Sequence, residues 1–264
     1  MNTVIPLFLK NEVFPYDKGT SIMFSYEALN KIQKFYQRLL EENKLDITVQ
    51  ESLYKQYNRF ELKNIYPEQY QHQLQFIYDK FFPLVKRSDI LCDMGCASGE
   101  LTQFFSLHFK EIYAFDFSQS LINCAKADFQ KLGIKNTVFD VADITNYNYT
   151  QQYDQFCLMG VFTCIFDDQV FIQALEKISN AIKHGGYLLY KDNLQDTEKD
   201  YYFFGPDPQY SMVARSKKKV LSFFEKNNFE LVEETIFHCR GDNFIIKNTE
   251  YPAYYSYGGI FRKK

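Results

Sequence analysis

From Ser88 onward, short apolar runs alternate along the sequence with stretches of helical periodicity. The apolar runs have the length and composition of buried strands, and the stretches between them place apolar residues three or four positions apart. Strands that alternate with helices form a mostly parallel sheet with both faces covered. The seven predicted strands lie at residues 90–93, 111–115, 137–141, 155–159, 187–191, 230–237 and 254–261. The chain is therefore expected to be an α/β protein.

The helices between these strands are bounded by capping residues. Ser118 is a suitable start for a helix that ends near Gly133, and Asp167 or Asp168 is a suitable start for another. The second of these helices is expected to end at His184-Gly185-Gly186, where glycine permits a left-handed backbone. Further helices are predicted over residues 99–108 and 215–227.

The region before the first strand has a different pattern, because it contains helical periodicity and no strand. Ser25 suits the cap of a helix that runs to about residue 43, and a second helix is predicted near 49–60. Pro67 suits the first turn of a third helix, which is expected to continue to Pro83. We predict a helical cap over residues 1–65 and a ligand-binding domain over 66–264.

Composition narrows the function classes. The net charge is −3 and the pI is about 5.9, which disfavours binding to a nucleic acid through many phosphates. The dense basic run at 216–219 is interpreted as a solvated helix face. The six cysteines form no CxxC pair, so no metal site is predicted. With no secretory signal and no apolar run of membrane length, a cytoplasmic protein is expected.

A glycine-containing turn, residues 93–99, follows the first predicted strand. In parallel α/β sheets, ligands bind outside the carboxyl ends of the strands, and glycine lets backbone N–H groups approach the ligand closely. A dinucleotide fingerprint starting at Gly95 would need glycine at positions 97 and 100, which hold Ala97 and Glu100. A phosphate-loop lysine is also missing, so NAD and ATP are disfavoured.

The segment LCDMGCASGELTQFF, residues 91–105, resembles motif I of the class I S-adenosylmethionine-dependent methyltransferases. Ala97 departs from the usual pattern, in which the middle position of the loop is glycine. The resemblance covers residues 88 to about 192. It implies a Rossmann-like class I methyltransferase fold with a seven-stranded sheet and an N-terminal helical cap. It also implies S-adenosylmethionine as the cofactor and S-adenosylhomocysteine as the product.

The resemblance assigns cofactor-binding roles to several residues. Asp116, 23 residues after Asp93, is expected to accept hydrogen bonds from the ribose hydroxyls, as acidic residues do in nucleotide folds. Phe117 is expected to lie against adenine, and Asp143 to accept from the adenine amino group with Ile144 behind the ring. The remaining expected contacts are Tyr57, Asp93, Gly95, Cys96, Gly99, Met159 and Gly160.

Methyl transfer to an oxygen of high pKa needs a general base, whereas transfer to an amine that is already deprotonated does not. Asp192 ends the fifth predicted strand and His238 ends the sixth, so these two are the candidate catalytic residues. Lys191 and Arg240 are candidates for pairing with a phosphate or carboxylate of the acceptor. The choice between O- and N-methylation stays open, with O-methylation favoured.

The predicted cap, a loop at 203–208 and an insertion at 240–252 would enclose a small acceptor. We therefore expect an enzyme that methylates a small polar molecule. The abundance of Phe, Tyr, Lys, Asn and Ile is typical of AT-rich genomes. By resemblance to the methyltransferases of capsule gene clusters in such genomes, the acceptor is expected to be a capsule or cell-surface glycan precursor. A tRNA methyltransferase and a non-catalytic binding subunit with the same fold are the alternatives. The sequence predicts no oligomeric state.

Overall fold

The computed structural model describes residues 67–203, 212–240, 244–246, 249–251 and 254–264. The predicted cap at 1–65, with its helices and Tyr57, lies outside these residues. So do residues 204–208 of the predicted acceptor loop. The cap and the domain boundary at residue 66 therefore stay predictions.

Five α-helices lie in the described ranges. They are α1 (Pro67–Phe76), α2 (Glu100–Phe105), α3 (Gln119–Leu132), α4 (Asp168–Ala181) and α5 (Lys217–Lys226). The chain leaves α1 through a π-helical turn (Ile77–Phe81) and a 3₁₀ turn (Phe82–Leu84). The helix predicted from Pro67 to Pro83 is thus three kinds of helix in succession, and the 3₁₀ turn has Pro83 near its start.

Eleven strands are formed by the described residues. The first five are β1 (Ile90–Met94), β2 (Glu111–Asp116), β3 (Thr137–Val141), β4 (Tyr153–Met159) and β5 (Ile182–Gln195). The next three are β6 (Tyr201–Phe203), β7 (Met212–Ser216) and β8 (Phe229–Arg240). The last three are β9 (Phe244–Ile246), β10 (Thr249–Tyr251) and β11 (Tyr254–Lys263).

The main sheet has the strand order β3-β2-β1-β4-β5-β11-β8. The first five strands of this order are parallel, and β11 is antiparallel to both of its neighbours. The prediction of a mostly parallel sheet of seven strands is confirmed. The sequence did not predict β6 and β7, which attach to the end of β5, nor the β9–β10 hairpin inside the predicted insertion.

Both faces of the sheet are covered by helices, as predicted. One face packs on α4 and α5 through residues such as Phe171 and Phe224. The other face packs on α1, α2 and α3 through residues such as Phe76, Phe105 and Phe129. We call these the α4–α5 face and the α1–α3 face.

Helix α3 has the boundaries that its capping residues predict. The Ser118 hydroxyl accepts from the Leu121 N–H at 3.4 Å, and Gly133 ends the helix with a φ of +67°. Among the described residues, no helix has the length and apolarity needed to cross a membrane.

The predicted end of α4 at His184-Gly185-Gly186 is wrong. The helix ends at Ala181, and Ile182 already pairs with Tyr153 in the sheet. Gly186 is needed for packing, because a Cβ there would lie 2.3 Å from the Asp154 carbonyl oxygen. The two glycines therefore belong to β5, which is much longer than predicted.

Candidate functional site

The loop after β1 lies where the strand order of the sheet reverses. Strand β1 pairs with β2 on one side and with β4 on the other, and all three run in the same direction. The connections from β1 and β4 therefore leave the same edge, and the crevice between them is the ligand position of open α/β sheets. The glycine turn was predicted over residues 93–99. Its first two residues belong to β1, and residues 95–99 form the loop at this position.

Gly95 and Gly99 are both required by the shape of this loop. Their φ angles are +82° and +80°, which side chains rarely permit. A Cβ on Gly95 would lie 2.3 Å from the Val161 side chain, so the loop passes tightly against the segment after β4. The N–H groups of Gly95 and Cys96 both donate to the Phe115 carbonyl, at 2.7 and 2.9 Å. The turn is thereby anchored to β2.

Ala97 stands at the centre of the turn with a φ of +49°. This φ lies in the left-handed region, which is energetically unfavourable for any residue that has a Cβ atom. Its N–H donates to Asp116 Oδ2 at 2.9 Å, and Asp116 Oδ1 accepts from the Ser118 N–H at 3.0 Å. The Asp116 carboxylate is thus buried and held between the loop and the start of α3, and burial raises its pKa above the ordinary value.

Asp93 is the last acidic residue before the loop, and it is buried. Its Oδ2 accepts from the Thr102 hydroxyl at 2.6 Å, and the Cys157 thiol on β4 donates to the same carboxylate. Burial outweighs these donors and raises the pKa of Asp93 to about 6. A carboxylate that is so poorly hydrated gains more than an exposed one from a nearby cation.

Phe117 and Asp143 lie at the ends of β2 and β3, on the same edge of the sheet. Phe117 is 49% exposed, so it is accessible to a ligand. Asp143 is exposed, and its Oδ1 accepts from the Thr145 N–H and hydroxyl at 2.9 and 2.8 Å. Asp143 therefore also serves the local turn. Ile144 is buried in the core on the α4–α5 face.

Met159 and Gly160 end β4 beside the loop. The Gly160 N–H donates to the Lys191 carbonyl at 2.7 Å, and Gly160 has a φ of +80°. The Lys191 ammonium donates to Gln73 Oε1 on α1 at 2.8 Å. Lys191 is thus engaged with the helix that follows the predicted cap.

Asp192 follows Lys191 in β5 and is only 3% exposed. Its Oδ1 accepts from the Thr163 N–H at 2.8 Å. Its Oδ2 is buried and has no hydrogen bond of ordinary geometry from any described residue, although the Tyr190 hydroxyl lies near it. Burial raises the pKa of Asp192 to about 7, and the nearby Arg215 charge opposes that rise.

His238 and Asp192 lie on opposite faces of the sheet. Ser256 on β11 is opposite Asn193 on one side and His238 on the other, so these three share the α1–α3 face. Asp192 precedes Asn193 and therefore points to the other face. The two candidate bases cannot both act on one acceptor atom from the same face.

Arg240 ends β8, and its side chain lies outside what the structure describes, as does Tyr57. Three residues of the site were missed by sequence reasoning: Thr102, Thr163 and Arg215. Thr102 donates to Asp93 and Thr163 to Asp192, whereas the Arg215 charge acts on Asp192 without a hydrogen bond. All three lie on elements other than the strands of the residues they affect, so no local pattern reveals them. Within the described ranges, no group of three His, Cys, Asp or Glu residues is arranged to hold a metal ion.

The sequence from residue 86 to 232 matches the family model described as a methyltransferase domain. A probable (S)-tetrahydroprotoberberine N-methyltransferase 2 from Papaver bracteatum is 27% identical over 93 residues, which are 34% of this chain and 26% of that protein. The chain thus spans about a quarter of the length of this curated relative.

Solved structures resemble the fold over most of the chain. An S-adenosylmethionine-dependent methyltransferase from Clostridium acetobutylicum ATCC 824 superposes with a TM-score of 0.59 at 18% identity, covering 80% of this chain and 99% of that one. The N-methyltransferase NodS from Bradyrhizobium japonicum WM9, in complex with S-adenosylhomocysteine, gives a TM-score of 0.53 at 14% identity, covering 74% and 87%. The family match extends over more than half of the chain, and the sheet order and the loop after β1 agree with it. The chain therefore belongs to the class I S-adenosylmethionine-dependent methyltransferases, and its cofactor is S-adenosylmethionine.

Proposed function

We propose that this enzyme methylates a small polar acceptor at the carboxyl edge of the sheet, with the cofactor seated against loop 95–99. The observation that carries the proposal is the hydrogen bond from the loop to Asp116, which presents a buried carboxylate beside a loop in which a Cβ on Gly95 would clash with Val161. Asp93 adds a second buried carboxylate behind the same loop. An anionic cradle of this kind suits the ammonium group and ribose of the cofactor better than a phosphate.

The proposed cofactor contacts follow the order of the strands. Asp93, Gly95, Cys96 and Gly99 would surround the methionine portion, and Asp116 would bind the ribose hydroxyls. Support comes from the exposed Phe117 ring for adenine and from the exposed Asp143 for its amino group. Met159, Gly160, Ile144 and Tyr57 complete the proposed set, with Ile144 backing the pocket from the core and Tyr57 closing it from the cap.

When bound, the cofactor supplies a methyl group attached to a positively charged sulfur. The protein's task is to align the acceptor with that methyl group and to exclude water. Asp192 is the proposed general base, because a carboxylate with a pKa near 7 can accept a proton from a hydroxyl group as its oxygen is methylated. His238 is the proposed base if the acceptor approaches from the α1–α3 face instead.

We favour an oxygen acceptor on a small molecule with an anionic group, such as a capsule or cell-surface glycan precursor. The raised pKa of Asp192 supports a hydroxyl substrate, and Lys191 and Arg240 would contact the anion.

All six cysteines lie among the described residues as free thiols, which supports a reducing compartment such as the cytoplasm.

An amine acceptor is the second candidate. Proteins named as N-methyltransferases occur among both the curated relatives and the similar structures. A protonated amine would also pair with Asp192 once it is ionised. In this case Asp192 would bind and deprotonate the amine, and no anionic group on the acceptor is required.

The test is methyl transfer from radiolabelled S-adenosylmethionine to three separate panels: sugar phosphates and nucleotide sugars, secondary amines, and bulk tRNA. Labelling of the sugar panel supports the favoured acceptor, and labelling of the amines alone supports the second candidate. Labelling of tRNA alone would overturn the small-molecule proposal. Asp192→Asn serves as the control for label transfer that does not depend on the proposed base.

A further inference from the structure

Arg215, near the end of β7, is a buried cation with only 2% of its surface exposed. Its guanidinium donates to three acceptors on one short segment of the chain. Nε binds Asp168 Oδ1 at 3.0 Å, Nη1 binds the Phe162 carbonyl at 2.8 Å, and Nη2 binds the Ile165 carbonyl. A planar fork with several donors is suited to hold such a set, and lysine cannot reproduce it.

The segment that Arg215 holds is the loop between β4 and α4, residues 160–167. Its 3₁₀ turn (Phe162–Cys164) contains Thr163, whose N–H donates to Asp192 Oδ1 at 2.8 Å. The Thr163 hydroxyl donates to the Val213 carbonyl on β7 at 2.9 Å. Arg215 and Asp192 are therefore connected through loop 160–167, which also carries Gly160 beside the cofactor loop.

A second layer fixes Arg215 itself. Lys219 on α5 donates to both Asp168 and Asp200, and Asp200 Oδ1 accepts from the Ser216 N–H at 2.8 Å. The Arg215 guanidinium also lies over the Phe171 ring, 4.7 Å from its centroid. The residue is thus oriented by contacts with α4, and Lys219 on α5 and Asp200 before β6 fix those contacts in turn.

We infer that Arg215 is a positioning residue of the acceptor side: it clamps loop 160–167 so that Thr163 fixes the orientation and the charge of Asp192. This inference rests on the proposed role of Asp192. The groups that favour the ionised form of Asp192 are the Arg215 charge, the Thr163 N–H, the Tyr190 hydroxyl and the Lys191 charge. Tyr190 lies beside it on the same strand, and Cys164 lies on the clamped turn.

The test uses the complete chain without any acceptor. The side-chain carboxyl of Asp192 is followed by ¹³C NMR as pH is varied, with its resonance assigned by its absence from Asp192→Asn. Hydrogen exchange of the peptide that contains residues 160–167 is measured in parallel. The variants are Arg215→Met, which removes the charge and the fork, and Arg215→Lys, which keeps only the charge.

Lys263→Met is the matched control. Lys263 is another buried cation and binds the Ser179 hydroxyl and the Asn227 carbonyl. It follows Arg262, which pairs with Tyr187 in β5, and so lies at the opposite end of the strands from loop 160–167. Its loss should destabilise the protein in a similar way without touching loop 160–167.

We expect the Asp192 titration midpoint to rise by roughly one to three pH units in Arg215→Met and by less in Arg215→Lys. Exchange in residues 160–167 should be roughly tenfold faster in both variants, since neither forms the fork. Lys263→Met should change neither quantity. Unchanged titration and exchange in the Arg215 variants, or equal changes in Lys263→Met, would overturn the inference. If Arg215→Met does not fold, loop exchange in Arg215→Lys decides. None of these readouts requires methyl transfer, so failure here is distinguishable from failure of the proposed function.

Discussion

The N–H of Ala97 donates to Oδ2 of Asp116 at 2.9 Å, and this bond joins the loop after β1 to the end of β2. The bond orients a carboxylate that is already out of water, so Asp116 needs little rearrangement when a ligand arrives. Preorganised acceptors of this kind lose less entropy on binding than mobile ones. The same bond holds Ala97 in its left-handed conformation.

Asp116→Ala should weaken S-adenosylhomocysteine binding by about 10- to 100-fold, because hydrogen bonds to a charged group contribute about 1.5–3 kcal/mol each. Isothermal titration calorimetry measures the change. Asp128→Asn on α3 is the control, since that carboxylate pairs with Lys131 one turn further along the same helix. Equal affinity in Asp116→Ala and wild type would remove Asp116 from the cofactor site.

Ala97→Gly should raise the melting temperature, because glycine adopts a φ of +49° without the steric cost of a Cβ. The gain is expected to be about 1 kcal/mol, reduced somewhat by the greater chain entropy of glycine when unfolded. Asn228→Gly, at the other described non-glycine residue with positive φ, is the matched comparison on a turn far from the loop. A lower melting temperature in Ala97→Gly would show that the alanine methyl group packs favourably.

Binding of S-adenosylhomocysteine should weaken as pH falls below about 6, where Asp93 becomes protonated. The amino group of S-adenosylhomocysteine remains positively charged in this pH range, so the only charge lost is that of the protein carboxylate. The raised pKa of Asp116 acts in the same direction. Affinity measured from pH 5 to 8 tests this, and a flat profile in wild type would contradict it.

Asp93→Asn should stabilise the protein without ligand at pH 8 while it weakens cofactor binding. The folded pKa of Asp93 is about 6, above the ordinary value, so the folded state holds more protons than the unfolded state between those two values. The unfolding free energy therefore falls as pH rises through this window, and the penalty is complete above pH 6. Removing the carboxylate should add about 1–3 kcal/mol at pH 8 and progressively less toward pH 4, as measured by urea denaturation. Equal gains at pH 8 and pH 4 would contradict this account.

Much of the fold follows from local sequence. The central strands β1, β2, β4 and β5 contain apolar runs, and Ser118 and Gly133 bound α3 as their chemistry predicts. The predicted end of α4 was wrong because Gly185 and Gly186 are equally compatible with the end of a helix and with close packing in a strand. Only the neighbouring Asp154 backbone decides between them, and it lies far away in sequence.

Less of the candidate site than of the fold can be predicted from the sequence. The carboxylates at 93, 116 and 143 were identified because they lie at the carboxyl ends of predicted strands and match the motifs of the resembled family. Two residues that bear on the predicted carboxylates were not found. Thr102, which donates to Asp93, lies beyond the loop, and Arg215, whose charge acts on Asp192, lies in a strand that the sequence does not predict. The opposite orientation of Asp192 and His238 depends on the register of β11, which no local pattern specifies.

Once an acceptor has been identified, Asp192→Asn should lower turnover by about 10²- to 10⁴-fold if an oxygen is methylated. The affinity for the cofactor should not change. In wild type, kcat/KM should rise with pH through about 7, as Asp192 loses its proton, and then level off. His238→Ala should retain activity if Asp192 is the base. Full activity in Asp192→Asn with loss in His238→Ala would move the acceptor to the α1–α3 face.

The central claim is that loop 95–99, Asp93 and Asp116 together hold the cofactor. A crystal structure of the complete chain with S-adenosylhomocysteine tests it most directly. We predict that the ribose hydroxyls lie within hydrogen-bond distance of the Asp116 carboxylate and that the homocysteine portion passes over Gly95 toward Asp93. Ligand bound elsewhere, or a ribose turned away from Asp116, would contradict the account.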